Sequence, residues 1–283
     1  EDARLFYEWD QLRKRARLAS PQDRLCWVEE HPELVAHRDD LTVEFVTLLN
    51  QVGKFHEALS VLKNRRFSPW EGGEGLASAQ YAYAHRALGA QALIAGKPCE
   101  ALKSFTAARN YPHNLGEGKH LLTLERDLDY FSGLAAEQCD DKERASRFWN
   151  AAAAPLPEPC IHSYFQALAL RELGDEEAAQ DVLSNLARFA EEKRKAVAKI
   201  DYFATSLPNL LLFDDDLEER NQMESLLLSA LAGHGLGQTD KAIGELRQVI
   251  AMDPNHLFAI SVLDWIEQEG KLADIEPEVR PAS

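Results

Sequence analysis

The chain has 283 residues, 45% of them hydrophobic, with five Trp, seven Tyr and twelve Phe, enough apolar mass for a continuous core rather than disorder. Its 47 acidic and 31 basic residues leave a formal charge of −16, without the basic stripe that nucleic-acid binding uses to displace counterions. Ala and Leu dominate, Val, Ile and Thr are sparse, and no window approaches the ~18 consecutive apolar residues of a membrane span, so the expectation is an all-α fold with no membrane partner.

The first two segments, "EDARLFYEWDQLRKRARL" and "PQDRLCWVEEHPELV", are amphipathic and read as N-terminal capping helices over residues 1–38. The cluster "RKRAR" at 13–17 and "EEKRKAVAK" at 191–199 both lie inside helical patterns and read as solvated faces. No signal-peptide pattern opens the chain, and its start at Glu1, already in helical rhythm, reads as part of a longer protein.

From residue 39 a short phrase recurs. It reads "GKFHEALSVL" at 53, "GKPCEALKSF" at 96, "CDDKERASRFW" at 139, "GDEEAAQDVL" at 174 and "GQTDKAIGEL" at 237. Each phrase holds a small residue in one slot (Ala58, Ala101, Ala145, Ala179, Ala242) and a large apolar residue four positions on (Leu62, Phe105, Trp149, Leu183, Leu246). A small side chain lets two antiparallel helices approach, and a residue one turn later fills the groove beside it. The preceding Gly or Asp ends one helix and opens the next, and Pro112, Pro155 and Pro254 stop second helices. Further small residues, Gly89, Gly133, Ala167 and Ala230, stand 12 positions before four of the alanines.

This pattern resembles the tetratricopeptide repeat, a helix–turn–helix of about 34 residues. The key alanines are 43, 44, 34 and 63 residues apart, so extra loops or helices separate the units. The resemblance implies an α-solenoid of stacked helical hairpins: repeats over 39–200, an irregular link over 201–222, a last repeat and capping helix over 223–270, and a tail over 271–283. Binding grooves of such repeats are lined by the first helix of each pair. With the key alanine as position 20, positions 2 and 5 are Tyr83 and Arg86, Asp127 and Tyr130, Ile161 and Tyr164. Tyr83, Arg86, Asp127, Tyr130 and Tyr164 are the candidate groove residues, since tyrosine supplies amphipathic contact area at low entropy cost.

Two Gly–Glu loops punctuate the repeats. "RRFSPWEGGEGLAS" spans 65–78, and "YPHNLGEGKH" falls one unit later at 111–120. Their residues admit two readings. In one, Pro69 stops the helix begun near Phe55, Trp70 plugs a seam, and the glutamates cap the helix starting near Leu76. In the other, the two loops sit side by side as a ligand site, with Trp70 as a stacking platform and Glu71, Glu74, Asn114 and Glu117 binding hydroxyls. Glu71, Glu74 and Glu117 are also the carboxylates to name for glycoside hydrolysis, which needs an acid and a second carboxylate, although acidic residues are abundant enough for some pair to be close by chance.

Elsewhere, "FDDDL" at 213–217 lacks the ligand alternation and turn glycine of a calcium loop and reads as a helix N-cap from Asp214, Asp215 or Asp216. The nine histidines form no HExxH pair, and no Gly-x-Ser-x-Gly or phosphate-cradling loop appears. Cys26, Cys99, Cys139 and Cys160 lie far apart without CxxC spacing and read as free thiols in a reducing, cytoplasmic setting. No catalytic residue, metal or cofactor is expected.

The phrases "HRDDLTVEFVTLLNQVGKFHEAL", "RRFSPWEGGEG", "YPHNLGEGK" and "DYFATSLPNLLLFDDDL" also resemble one bacterial family, in which a domain of unknown function precedes a C-terminal tetratricopeptide region. That family has His before the Pro–Trp, where this chain has Ser68. The resemblance implies an upstream β-sandwich portion like those of sugar-processing enzymes, with the present chain as its helical partner. The expected function is therefore a non-catalytic interaction module for a protein segment or a neighbouring domain. The alternative is an accessory domain of a carbohydrate-active enzyme whose Gly–Glu loops contribute to a sugar site.

Overall fold

The computed structural model describes residues 2–68, 70–197 and 216–273, the last five as backbone. All regular structure among the described residues is helical, with no strand. Helices α1 (Ala3–Arg15), α2 (Pro21–Glu29) and α3 (Pro32–His37) precede the first hairpin. Five hairpins follow: α4 (Asp39–Gln51) with α5 (Phe55–Lys63), α6 (Leu76–Ile94) with α7 (Pro98–Arg109), α8 (Arg126–Gln138) with α9 (Lys142–Ala153), α10 (Ile161–Glu172) with α11 (Glu176–Lys195), and α12 (Leu217–Gly235) with α13 (Thr239–Met252). Helix α14 (Leu257–Ala273) ends the described chain. Each hairpin packs on the next in chain order, the arrangement of an α-solenoid. No helix among the described residues is long and apolar enough to cross a membrane.

The recurring phrase builds one turn five times over. Gly53, Gly96, Asp140, Gly174 and Gly237, each five residues before a key alanine, adopt left-handed backbone with φ between 61° and 85°. In every case the next amide donates to a carbonyl five residues back, as Lys97 N does to Ala92 O at 2.8 Å and Asp141 N does to Ala136 O at 3.0 Å. This closure satisfies carbonyls that the end of a helix would otherwise leave unpaired. Four units use glycine for the left-handed residue. The third uses Asp140, and its neighbour Asp141 caps α9 by accepting from Arg144 N.

The key alanines are all buried, none more than 1% exposed. What their spacing to the upstream small residues means is a contact between ring and backbone. A Cβ at Gly89 would stand 2.3 Å from Phe105 Cε1, and one at Gly133 would stand 2.2 Å from Trp149 Nε1. The large residue of the second helix therefore lies directly over the small residue of the first. Truncating such a ring to alanine costs about 3–5 kcal/mol.

Caps set several helix starts. Asp2 accepts from Arg4 N and Leu5 N, Ser20 and Asp23 form a capping box with Pro21 at the first helical position, and Asp175 caps α11. Asp216 caps α12, accepting from Glu218 N and Glu219 N at 3.0 Å. Asp214 and Asp215 lie outside the described residues, as do residues 201–215 of the expected link and 274–283 of the tail. Residues 217–222, expected as link, form the first turns of α12.

The stack curves until its ends meet. Arg24 on α2 is fully buried. It donates to Asp10 through Nε at 3.0 Å and Nη2 at 2.5 Å, to Glu44 Oε1 at 2.5 Å, and to Asn255 Oδ1 at 3.0 Å. Asn255 lies in the turn between α13 and α14, and its carbonyl also accepts from Gln51 Nε2 at 3.1 Å. On the rim, Arg17 pairs with Glu219 at 2.9 Å. Burial alone would push the Glu44 carboxyl up, but Lys14, at 3.0 Å, and Arg24 hold it below the ordinary carboxylate range. Two cations and two anions balance here, which offsets the cost of burying the charges.

Candidate interaction groove

The first helices of the second, third and fourth hairpins, α6, α8 and α10, present one inner face, and α14 lies on it. This segment was expected to sit as a cap on the last repeat. It does pack against α13, but its rings reach across the groove. Trp265 meets Phe131 of α8 edge-on with centroids 4.8 Å apart, and Phe258 meets Phe165 of α10 at 6.4 Å. Phe258, Val262 and Trp265 follow the i, i+4, i+7 spacing that aligns side chains along one stripe of a helix. A cavity of about 90 Å³ remains between this stripe and the inner face.

Four of the five expected groove residues line that cavity: Tyr83, Arg86, Asp127 and Tyr164. Arg86 Nη1 donates to Asp127 Oδ2 at 2.5 Å, joining α6 to α8, while its guanidinium lies 5.3 Å from the Tyr83 ring centre. Burial alone would raise the Asp127 carboxyl, but Arg86 holds it below its ordinary value. Tyr83 is buried, its hydroxyl 3.5 Å from the Leu257 carbonyl, and burial pushes its pKa up to about 12. Tyr164 Oη lies 2.7 Å from His234 Nδ1, linking α10 to α12. Burial, then Arg171, lowers the pKa of that imidazole.

Tyr130 sits apart from the cavity lining. Its ring packs against Phe131 at 5.4 Å and Phe165 at 6.3 Å within the core. Ile161 packs against the same core. The sequence reading missed Phe131 and Phe165, each one position after an expected tyrosine, and the α14 stripe that covers them. The 258, 262, 265 spacing was the signal available.

The two Gly–Glu loops do lie side by side. Glu117 Oε2 accepts from Gly75 N at 2.5 Å, so a carboxylate of the second loop caps α6, whose own N-cap is a left-handed glycine without a side chain. Glu74, expected as a cap for α6, instead accepts from Gly72 N at 2.9 Å inside its own loop. Asn114 Nδ2 donates to the carbonyls of Leu62 and Arg65, both at 2.7 Å, holding the end of α5, and its own carbonyl accepts from Phe67 N at 2.8 Å. The Trp70 ring covers Gly73, where a Cβ would stand 1.8 Å from Cε2. Glu71 is exposed. Helix α5 ends at Lys63, before Pro69, which lies outside the described residues.

No family model and no solved structure matches this chain.

Proposed function

We propose that this chain is a non-catalytic interaction module of tetratricopeptide type, working in a cytoplasmic setting, that holds an amphipathic helix on its concave face. The occupant would be a segment of a partner protein or of a neighbouring domain of its parent. One observation carries the reading: α14 occupies the inner face of α6, α8 and α10 through Phe258, Val262 and Trp265. Three anchors at i, i+4 and i+7 in an apolar groove are the means by which helical ligands are recognised. The Arg86–Asp127 pair at the groove edge adds a polar element that can orient a ligand, because such pairs contribute to specificity more than to affinity.

The test is competition in trans. A labelled peptide spanning residues 256–273 is titrated into the full chain and into a Phe258→Ala, Trp265→Ala double variant of it. The variant should bind the peptide at least about tenfold more tightly, because apparent affinity is reduced by the fraction of molecules whose groove is occupied. Equal or undetectable binding by both proteins, with helicity intact, overturns the proposal.

A further inference from the structure

Cys99 and Cys139 are 40 positions apart in sequence, and their sulfurs are 3.4 Å apart. The repeat brings them together. Cys99 is the second residue of α7, and Cys139 ends α8 just before the left-handed turn at Asp140. Helix α7 of one unit packs on α8 of the next, so a residue early in a second helix meets one late in the following first helix. Cys99 is exposed and Cys139 half-buried, so the pair is open to small molecules. Neither of the other two cysteines occupies such a position: Cys26 lies on α2, and Cys160 opens α10, where Ser163 Oγ accepts from its backbone amide at 3.0 Å.

We propose that Cys99 and Cys139 form a reversible dithiol–disulfide pair that cross-links the second hairpin to the third when the protein meets a peroxide. A disulfide needs sulfurs about 2.05 Å apart, so the pair must close by roughly 1.4 Å, within reach of side-chain rotation. Hydrogen peroxide meets the more exposed Cys99 first. Its thiolate displaces hydroxide from the peroxide, giving a sulfenic acid and, after protonation, one water. The Cys139 thiol then attacks that sulfur and loses its proton. The S–O bond breaks as the S–S bond forms, and the hydroxide leaves as a second water. Two thiols and one peroxide thus give one disulfide and two waters. Glutathione reverses the step by thiol exchange. Burial, then the neighbouring Cys99 sulfur, raises the Cys139 thiol pKa, which disfavours its direct oxidation while it stands 3.4 Å from Cys99.

The experiment exposes the full chain to hydrogen peroxide and follows thiol number, intact mass and a non-reducing peptide map. Two of the four thiols should disappear with the loss of two hydrogens, leaving a 99–139 cross-link within the monomer that glutathione removes. Because the partner sulfur is held at high effective concentration, closure should outrun further peroxide oxidation of the Cys99 sulfenic acid by about tenfold or more. Cys99→Ser and Cys139→Ser should each abolish it, and a Cys26→Ser, Cys160→Ser double variant should retain it. Intact thiols under peroxide that oxidises Cys26, sulfinic or sulfonic acid at Cys99 without cross-linking, or dimers joined through Cys99 would each overturn the proposal.

Discussion

Gly133 and Gly244 are both glycines inside helices, and the same substitution should move stability in opposite directions. A Cβ at Gly133 would stand 2.2 Å from the buried Trp149 ring, whereas one at Gly244 meets nothing within 4 Å. Alanine gains about 1 kcal/mol over glycine from helix propensity, but overpacking a filled core costs about 1–3 kcal/mol. Gly133→Ala should therefore lower stability by up to about 2 kcal/mol and Gly244→Ala raise it by about 0.5–1 kcal/mol, both read from urea midpoints at constant slope. A stable Gly133→Ala variant would mean that Trp149 does not lie over α8 as described. The small-residue period was legible in the sequence because glycine and alanine recur in a fixed slot. Which large residue covered each slot was not, since contact across a hairpin depends on how the two helices are rotated about their axes.

At the scale of elements, α14 shows what periodicity can and cannot say. Its sequence announces an apolar stripe, but a stripe does not name the surface it covers, so the segment reads as an end cap although its rings lie in the groove. The groove tyrosines were legible from repeat position. Phe131 and Phe165 were not, because that numbering presumes an external ligand rather than a helix of the same chain. The Gly–Glu loops were legible as a joint between units, while the cap that Glu117 supplies to α6 runs between loops 42 residues apart and leaves no local trace. Asp264, on the cavity side of α14, gives this element a pH dependence. Burial, then Glu267, raises its carboxyl above the ordinary value. A carboxyl raised on folding binds protons more tightly in the native state, so it weakens folding above its native pKa and ceases to do so once pH falls below its unfolded value. Asp264→Asn should stabilise the protein at pH 7, and the urea midpoints of variant and parent should converge as pH falls below about 4. Asp264 is itself exposed at the mouth of the cavity, so a variant no more stable at neutral pH would show that solvent screens its carboxyl fully.

Across the whole molecule, Arg24 and Asn255 hold together positions 231 residues apart. Asn255→Ala removes the acceptor of one arm of the buried Arg24 guanidinium and should cost about 1–3 kcal/mol. The distinguishing measurement is hydrogen exchange. Amides of α1 and α2, far from the substitution in sequence, should exchange faster together with those of α14. Faster exchange confined to the α13–α14 turn would mean that the ends are energetically separate. The all-α class and the stacking of hairpins were legible from composition and from five repeats of one phrase. The meeting of the ends was not, because curvature accumulates from small rotations at each junction, and no single junction encodes the sum. That meeting changes how the array comes apart. A row of hairpins ordinarily frays from its two free termini, each unit leaning on one neighbour there instead of two. Where the first and last units support each other, neither is a weak margin, and denaturation must open a seam before it can spread. Such a chain should melt as one block, and it should refold slowly at its final step, when the most distant residues find one another.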